Sequence, residues 1–171
     1  RKGTPIEPLL HGGGQEFGLR SSTLNVPAIV GFAKAAKIAS QKMEKDRSQQ
    51  SALQERIISE VQEKIAAVRL NGHPKRRLYN NINLSFSFIE GEAMAAMLDD
   101  FKIAVSTGSA CASGSLKPSH VLLACGLRPE EAAGSLRISL GRQTSAEDVD
   151  YLLKVLPEVV ERLRKISPFK R

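Results

Sequence analysis

From Ala33 to Asn71 the chain runs without a glycine or a proline, and that stretch fixes the first large element of any fold it adopts. Asn25 is a plausible N-cap just upstream, and Pro27 falls in the first turn, where its missing N–H costs nothing. Ile29, Phe32, Ala36, Ala39 and Met43 mark one apolar face. After a polar stretch, Leu53, Ile57, Val61, Ile65 and Val68 mark another at helical spacing. The pattern predicts one bent helix or two abutting ones, stopped by Asn71-Gly72-His73-Pro74.

Downstream the period changes. Between Asn81 and Phe88, Ile82, Leu84, Phe86 and Phe88 alternate with Asn81, Asn83, Ser85 and Ser87, which predicts a half-buried strand. A short helix carrying Met94, Met97 and Leu98 follows, then a short strand from Ile103 to Val105 and a helix near Ser119 to Cys125. Leu136, Ile138 and Leu140 define a further strand. Val149, Leu152, Leu153, Leu156, Val160 and Leu163 give the last helix its stripe, with Thr144-Ser145-Ala146-Glu147 as its capping pattern and Pro157 as an expected kink. Residues 1–24, rich in Gly, Pro and Ser, should be irregular, with Ile6, Leu9 and Leu10 as a short buried stretch. Residues 80–166 thus predict a small α/β or α+β domain, with helices packed on a small sheet.

Composition narrows the function. A chain of 171 residues, 42% hydrophobic, can bury one moderate core. No apolar run approaches the ~18 residues that span a bilayer, so a cytoplasmic, membrane-free protein is expected. The net charge of +7 is dispersed. Lys75-Arg76-Arg77 is the tight interior cluster, and aromatics are not interleaved with the basic residues, so no nucleic-acid groove is predicted. The basic residues near the C-terminus suit an acidic protein partner. His11, His73 and His120 are scattered, and Cys111 and Cys125 form no CxxC pair, so no metal site is assigned.

The candidate chemistry sits in three places. Val105-Ser106-Thr107-Gly108-Ser109-Ala110-Cys111-Ala112-Ser113-Gly114-Ser115 sets one cysteine among small residues that have little to bury. Such a loop can carry an ionisable thiol outward, although a free cysteine can equally be a small buried hydrophobe. Cys125, among Val121, Leu122, Leu123 and Leu127, reads as core. Arg137 falls on the strand face opposite Leu136 and Ile138. There it is either a surface or ion-paired arginine, or a fork of donors for a carboxylate. Gly12, Gly13 and Gly14 either border an anionic group or make a tight turn.

Taken together, these motifs resemble a known family. Ser106-Thr107-Gly108-Ser109-Ala110-Cys111-Ala112-Ser113, with Leu116, Pro118 and Ser119 behind it, resembles the active-site loop of cysteine desulfurases of the NifS and IscS type. His11-Gly12-Gly13-Gly14-Gln15-Glu16, with Gly18, Arg20, Ser21 and Thr23, resembles that family's glycine-rich motif, and Ser135 to Arg142 resembles its late strand. The resemblance covers the whole chain but only the C-terminal part of the family's protein, a fold-type I, class V aminotransferase-like enzyme that uses pyridoxal 5'-phosphate. The cofactor's lysine belongs upstream of the glycine-rich motif and has no counterpart here.

The resemblance implies that Cys111 is the catalytic nucleophile. Its thiolate would take sulfur from L-cysteine as a persulfide, release alanine, and pass the sulfur to an iron-sulfur scaffold or another acceptor protein. It implies that Thr23 binds the cofactor phosphate and that Arg137, rather than Arg142, binds the substrate carboxylate, with His11, Gln15 and Arg20 near the cofactor. It implies a homodimer that needs the N-terminal portion of the same enzyme. Residues 1–26 would belong to the large cofactor domain or the dimer interface, and residues 27–171 to the small domain. The alternative is a non-catalytic sulfur-relay or scaffold-docking module. Ser22 stands where the family usually has glycine, and its β-carbon is expected to strain the turn that aims Thr23.

Overall fold

The computed structural model describes residues 3–107 and 118–168. The chain forms two compact units that divide between Met43 and Glu44.

In the first unit, the Asn25 Oδ1 accepts the backbone N–H of Ala28 at 3.2 Å and starts helix α1, Val26–Lys64. The expected apolar face of its first turns is not covered: Ile29, Phe32 and Met43 are exposed, as are Ala36 and Ala39. Ile6, Leu9 and Leu10 are exposed too, contrary to the buried stretch expected, because the described part of this unit has no second layer to pack on them.

The second unit holds the core. Here α1 turns Ile57 and Val61 inward, Ile65 just past its end is buried too, and the same helical face continues backward as Gln54, Gln50 and Asp46, all buried. The helix ends well before Asn71. Ala67 takes a left-handed φ of 54°, and the chain enters a strand, β1 (Val68–Leu70), where the helical period had placed Val68 on α1. β1 pairs antiparallel with β2 (Asn81–Phe86). β2 ends one alternation earlier than expected. Phe88 turns the chain at φ 71° and Ile89 takes the buried place instead.

Helix α2 (Gly91–Asp100) buries Met94 and Leu98. The strand expected at Ile103–Val105 is reduced to one bridge, at Ser106. Two five-residue helices follow, α3 (His120–Ala124) and α4 (Pro129–Ala133), the second unforeseen. They share a small cluster of Leu122, Leu127 and Ala132. Cys125, expected in the core, is exposed: α3 is too short to bury more than one side, and Leu122 takes it.

β3 (Ser135–Ser139) completes a three-stranded antiparallel sheet in the order β1-β2-β3, with Asn83 opposite Arg137 and Leu84 opposite Leu136. Helix α5 (Ala146–Ile166) closes the core with its whole predicted stripe plus Val155 and Val159. It continues through Pro157 as one element. Its cap sits one residue later than the sequence pattern: Ser145 Oγ accepts the Asp148 N–H at 3.2 Å, and Asp148 Oδ2 accepts the Ser145 N–H at 2.9 Å. The architecture is the expected α+β arrangement of helices on a small sheet. Each buried Leu, Ile or Phe of that core contributes about 1.5–3 kcal/mol of transfer free energy.

Candidate functional site

The sheet has one apolar and one polar face, as a period of two requires. Val68 and Leu70, Ile82, Leu84 and Phe86, and Leu136 and Ile138 point to the helices. The opposite face carries Arg69, Asn81, Asn83, Ser85, Ser135, Arg137 and Ser139. Asn71 extends it, donating from Nδ2 to Asn83 Oδ1 at 2.6 Å and to Ser85 Oγ at 2.8 Å.

Arg137 lies half-buried on this polar face, as the alternation predicted, and its guanidinium makes no hydrogen bond or ion pair among the described residues. Its backbone, by contrast, is fixed on both sides. Asn83 pairs with it on β2, and on the free edge Arg137 and Ser106 exchange both main-chain hydrogen bonds, at 2.6 and 3.1 Å. Ser135 Oγ adds a bond to the Thr107 carbonyl at 3.2 Å. β3 therefore anchors the segment that leads into the predicted cysteine loop. Cys111 itself lies outside the described residues.

The approach is close enough to demand glycine at one point. A β-carbon on Gly91, at the start of α2, would stand 2.3 Å from the Ser135 carbonyl oxygen and 3.2 Å from Thr107 Cγ2. The sequence placed Ser106 and Ser135 only as members of longer motifs and did not single out Gly91, because their contacts depend on which strands meet.

Arg142, the less favoured candidate, is engaged elsewhere. Its Nε donates to both carboxylate oxygens of Asp46, at 3.1 and 2.8 Å, and its Nη2 bonds Oδ2 at 2.5 Å. The carboxylate raises the guanidinium pKa above its ordinary value. This pair ties the turn after β3 to α1, a structural task. Asp46 was readable only as one of three polar residues in phase with Ile57 and Val61.

The Lys75-Arg76-Arg77 cluster is likewise divided. His73 Nδ1 accepts the backbone N–H groups of Lys75 and Arg76 at 3.0 and 2.9 Å, and Arg77 Nη2 reaches in to the Asn71 carbonyl at 2.7 Å. Partial burial lowers the Arg77 pKa from its ordinary value.

In the first unit the glycine-rich loop folds on itself. Ser21 is buried and donates from Oγ to the Gly13 carbonyl at 2.7 Å. Gln15 Oε1 accepts the Ser22 N–H at 3.3 Å. Ser22 adopts φ 77°, the conformation a glycine would take, so the turn forms with serine in place and at a steric cost. Arg20 Nη1 donates to the carbonyls of Ser22 and Thr23 at 2.9 and 2.8 Å. Thr23 is exposed, and its hydroxyl has no partner among the described residues. His11 is exposed as well. Among the described residues no group of His, Cys, Asp and Glu could hold a metal ion, and no helix is long and apolar enough to cross a membrane.

Comparison with known proteins agrees with this arrangement. Residues 6–152 match the family described as aminotransferase class-V. A cysteine desulfurase IscS 1 of Archaeoglobus fulgidus is 54% identical over 100% of this chain, which spans 44% of that protein. A cysteine desulfurase IscS of Methanosarcina thermophila is 51% identical over 98% of the chain and 41% of its own length. Among solved structures, a NifS-like protein matches 95% of the chain and 41% of its own with a TM-score of 0.80 at 36% identity. A NifS-like protein from Rickettsia africae matches with a TM-score of 0.78 at 28% identity, over 92% of this chain and 41% of its own. The chain spans less than half the length of these relatives, and over most of its own length, glycine-rich loop and late strand included, it belongs to the aminotransferase class-V family.

Proposed function

We propose that this chain is the sulfur-accepting C-terminal part of a cysteine desulfurase that works with L-cysteine and pyridoxal 5'-phosphate. The observation that carries the reading is Arg137: a guanidinium without an internal partner among the described residues, on a strand whose main chain is bonded to Ser106, five residues before Cys111. A planar fork of donors grips a carboxylate with two parallel bonds, as recognition of an amino acid substrate requires.

The residues present fit the cofactor in one respect. The Thr23 hydroxyl is an exposed donor with no internal partner among the described residues, suited to a phosphate oxygen. The lysine that would hold the cofactor covalently lies outside this chain. When bound, pyridoxal phosphate supplies an electron sink that weakens the bond between the substrate sulfur and its carbon. Arg137 holds the carboxylate and orients the substrate. The Cys111 thiolate then attacks the substrate sulfur: an S–S bond forms on Cys111, the C–S bond breaks with its electron pair left on carbon, and a proton on that carbon completes alanine. Carrying the nucleophile on a loop separates collection of sulfur from its delivery to an acceptor, here an iron-sulfur scaffold protein.

Residues 1–26 belong, in this reading, to the large cofactor domain or the dimer interface of a cytoplasmic homodimer, and residues 27–171 to the small domain. Full-length protein tests the proposal. A pyridoxal-phosphate absorption band, sulfide release from L-cysteine, and loss of that release in Cys111→Ala are expected. A colourless protein that neither binds the cofactor nor releases sulfide overturns the enzyme and leaves a docking or relay module.

A further inference from the structure

The glycine-rich loop is built around one guanidinium. Arg20 Nη1 donates to two consecutive carbonyls, those of Ser22 and Thr23, at 2.9 and 2.8 Å. The first of these carbonyls belongs to the left-handed Ser22, whose N–H is held by Gln15 Oε1 at 3.3 Å. On the preceding residue, buried Ser21 is tied by its hydroxyl to the Gly13 carbonyl, and its N–H points to the Leu10 carbonyl at 3.4 Å. The Ser22 N–H and the Ser22 and Thr23 carbonyls are thus held by Gln15 and Arg20. The Thr23 hydroxyl has no partner among the described residues.

A serine at φ 77° is strained relative to a right-handed conformation, and such a backbone persists only where its surroundings determine it. Two charge-assisted bonds from one side chain are enough to do so. The Ser22 carbonyl belongs to the peptide that enters Thr23 and the Thr23 carbonyl to the peptide that leaves it, so fixing both sets the two planes that meet at the Thr23 Cα and hence the direction in which the Thr23 side chain leaves the chain.

We propose that Arg20 is the positioning residue for Thr23: it clamps the Ser22 and Thr23 carbonyls, holds Ser22 left-handed, and so presents the Thr23 hydroxyl to a phosphate monoester without touching that phosphate itself. The inference rests on the reading of Thr23 as a phosphate ligand. It accounts for a cation committed to carbonyls beside the site of an anion. With its Nη1 committed to the main chain, Arg20 acts through geometry, and affinity for the phosphate should depend on it only as long as Thr23 is there to be aimed.

The test uses the full-length enzyme and two probes, pyridoxal 5'-phosphate and pyridoxal, which lacks the phosphate. Equilibrium affinities are read from absorption for Arg20→Met, Arg20→Lys, Thr23→Ala and the double variant Arg20→Met/Thr23→Ala. Arg20→Met is expected to weaken pyridoxal phosphate about tenfold, the scale of one charge-assisted hydrogen bond, and to leave pyridoxal unchanged. Lys can donate to both carbonyls, so Arg20→Lys should recover most of the loss, and the double variant should bind no worse than Thr23→Ala alone. If Thr23→Ala leaves the phosphate-dependent affinity intact, the reading of Thr23 fails and the inference falls with it. If Thr23→Ala weakens binding but Arg20→Met does not, or Arg20→Met weakens both probes equally, or loses its fold without rescue by Lys, Arg20 is not a positioning residue and only this inference falls.

Discussion

Arg137 and Ser106 face each other across the edge of β3 and exchange both main-chain hydrogen bonds, as an isolated bridge among the described residues. One residue is thereby shared by two tasks. Its side chain has no partner on the polar face among the described residues, and its backbone anchors Ser106, which precedes the predicted cysteine loop.

If the side chain serves a substrate carboxylate, its loss should be felt in binding and not in folding. Arg137→Ala in the full-length enzyme is expected to raise KM for L-cysteine about 30-fold to 100-fold, the value of a two-pronged charged contact. The unfolding temperature should hardly move, because the guanidinium has no internal partner among the described residues. A large fall in thermal stability at unchanged KM would show instead that Arg137 is structural.

The backbone task is separable. Ser106→Pro removes the N–H that bonds the Arg137 carbonyl at 3.1 Å. Sulfur transfer to Cys111, followed by mass spectrometry of the persulfide, should slow about tenfold or more, as misplacing a reacting group by even an ångström can cost that much. Substrate affinity should change less than in Arg137→Ala. Equal persulfide formation in the variant and the parent would mean that the bridge does not position the loop.

Gly91 offers a stability test with little room for compensation. The atoms that a β-carbon would meet at 2.3 and 3.1 Å are the carbonyl oxygens of Ser135 and Ala133, which are backbone and cannot swing aside. Gly91→Ala should therefore cost about 3 kcal/mol, at the upper end for overpacking, in urea unfolding. A cost below about 1 kcal/mol would mean that α2 can shift away from β3 freely.

Much of this was legible in the sequence, and the reasons for what was not are physical. Alternation placed Leu136 and Ile138 inside and Arg137 on the opposite face, since a strand has only two faces. The stripe of α5 was readable for the same kind of reason. Cys125 was misread because apolar neighbours imply burial only when the helix carrying them is long enough to have an inside; α3 is not. The polar stretch of α1 looked like a break in the amphipathic pattern. In fact Asp46, Gln50 and Gln54 continue it, and two of them meet partners distant in sequence: Asp46 meets Arg142, and Gln54 Nε2 meets the carbonyls of Leu78 and Asn81 at 2.7 and 2.9 Å. Phase was visible in the sequence, whereas the partners were not. β1 escaped notice because its first residue, Val68, continues the helical spacing of Val61 and Ile65, and the break lies at Ala67, whose residue type gives no sign of a left-handed turn.

The last prediction concerns acid. Asp148 accepts both the N–H and the hydroxyl of Ser145, at 2.9 and 3.0 Å, and these bonds hold its carboxyl below the ordinary value of 3.8. Glu131 accepts the Arg128 N–H at 2.8 Å, chiefly for which its carboxyl lies below 4.5. A carboxyl whose folded pKa is depressed contributes stability that is present above its unfolded pKa and is lost as the pH falls through the folded one. Both helix starts should therefore be indifferent to pH from neutrality down to about 5 and weaken below about 4. Urea midpoints measured across that range should show the decline, and Asp148→Asn, which keeps an acceptor oxygen but cannot titrate, should flatten it. Ser145→Ala removes the cap at all pH values, so it should lower stability by about 1 kcal/mol at pH 7 and also shallow the acid limb. If Asp148→Asn leaves the acid limb as steep as in the parent, the pH dependence arises from other carboxylates, and the start of α5 is held by the serine hydroxyl alone.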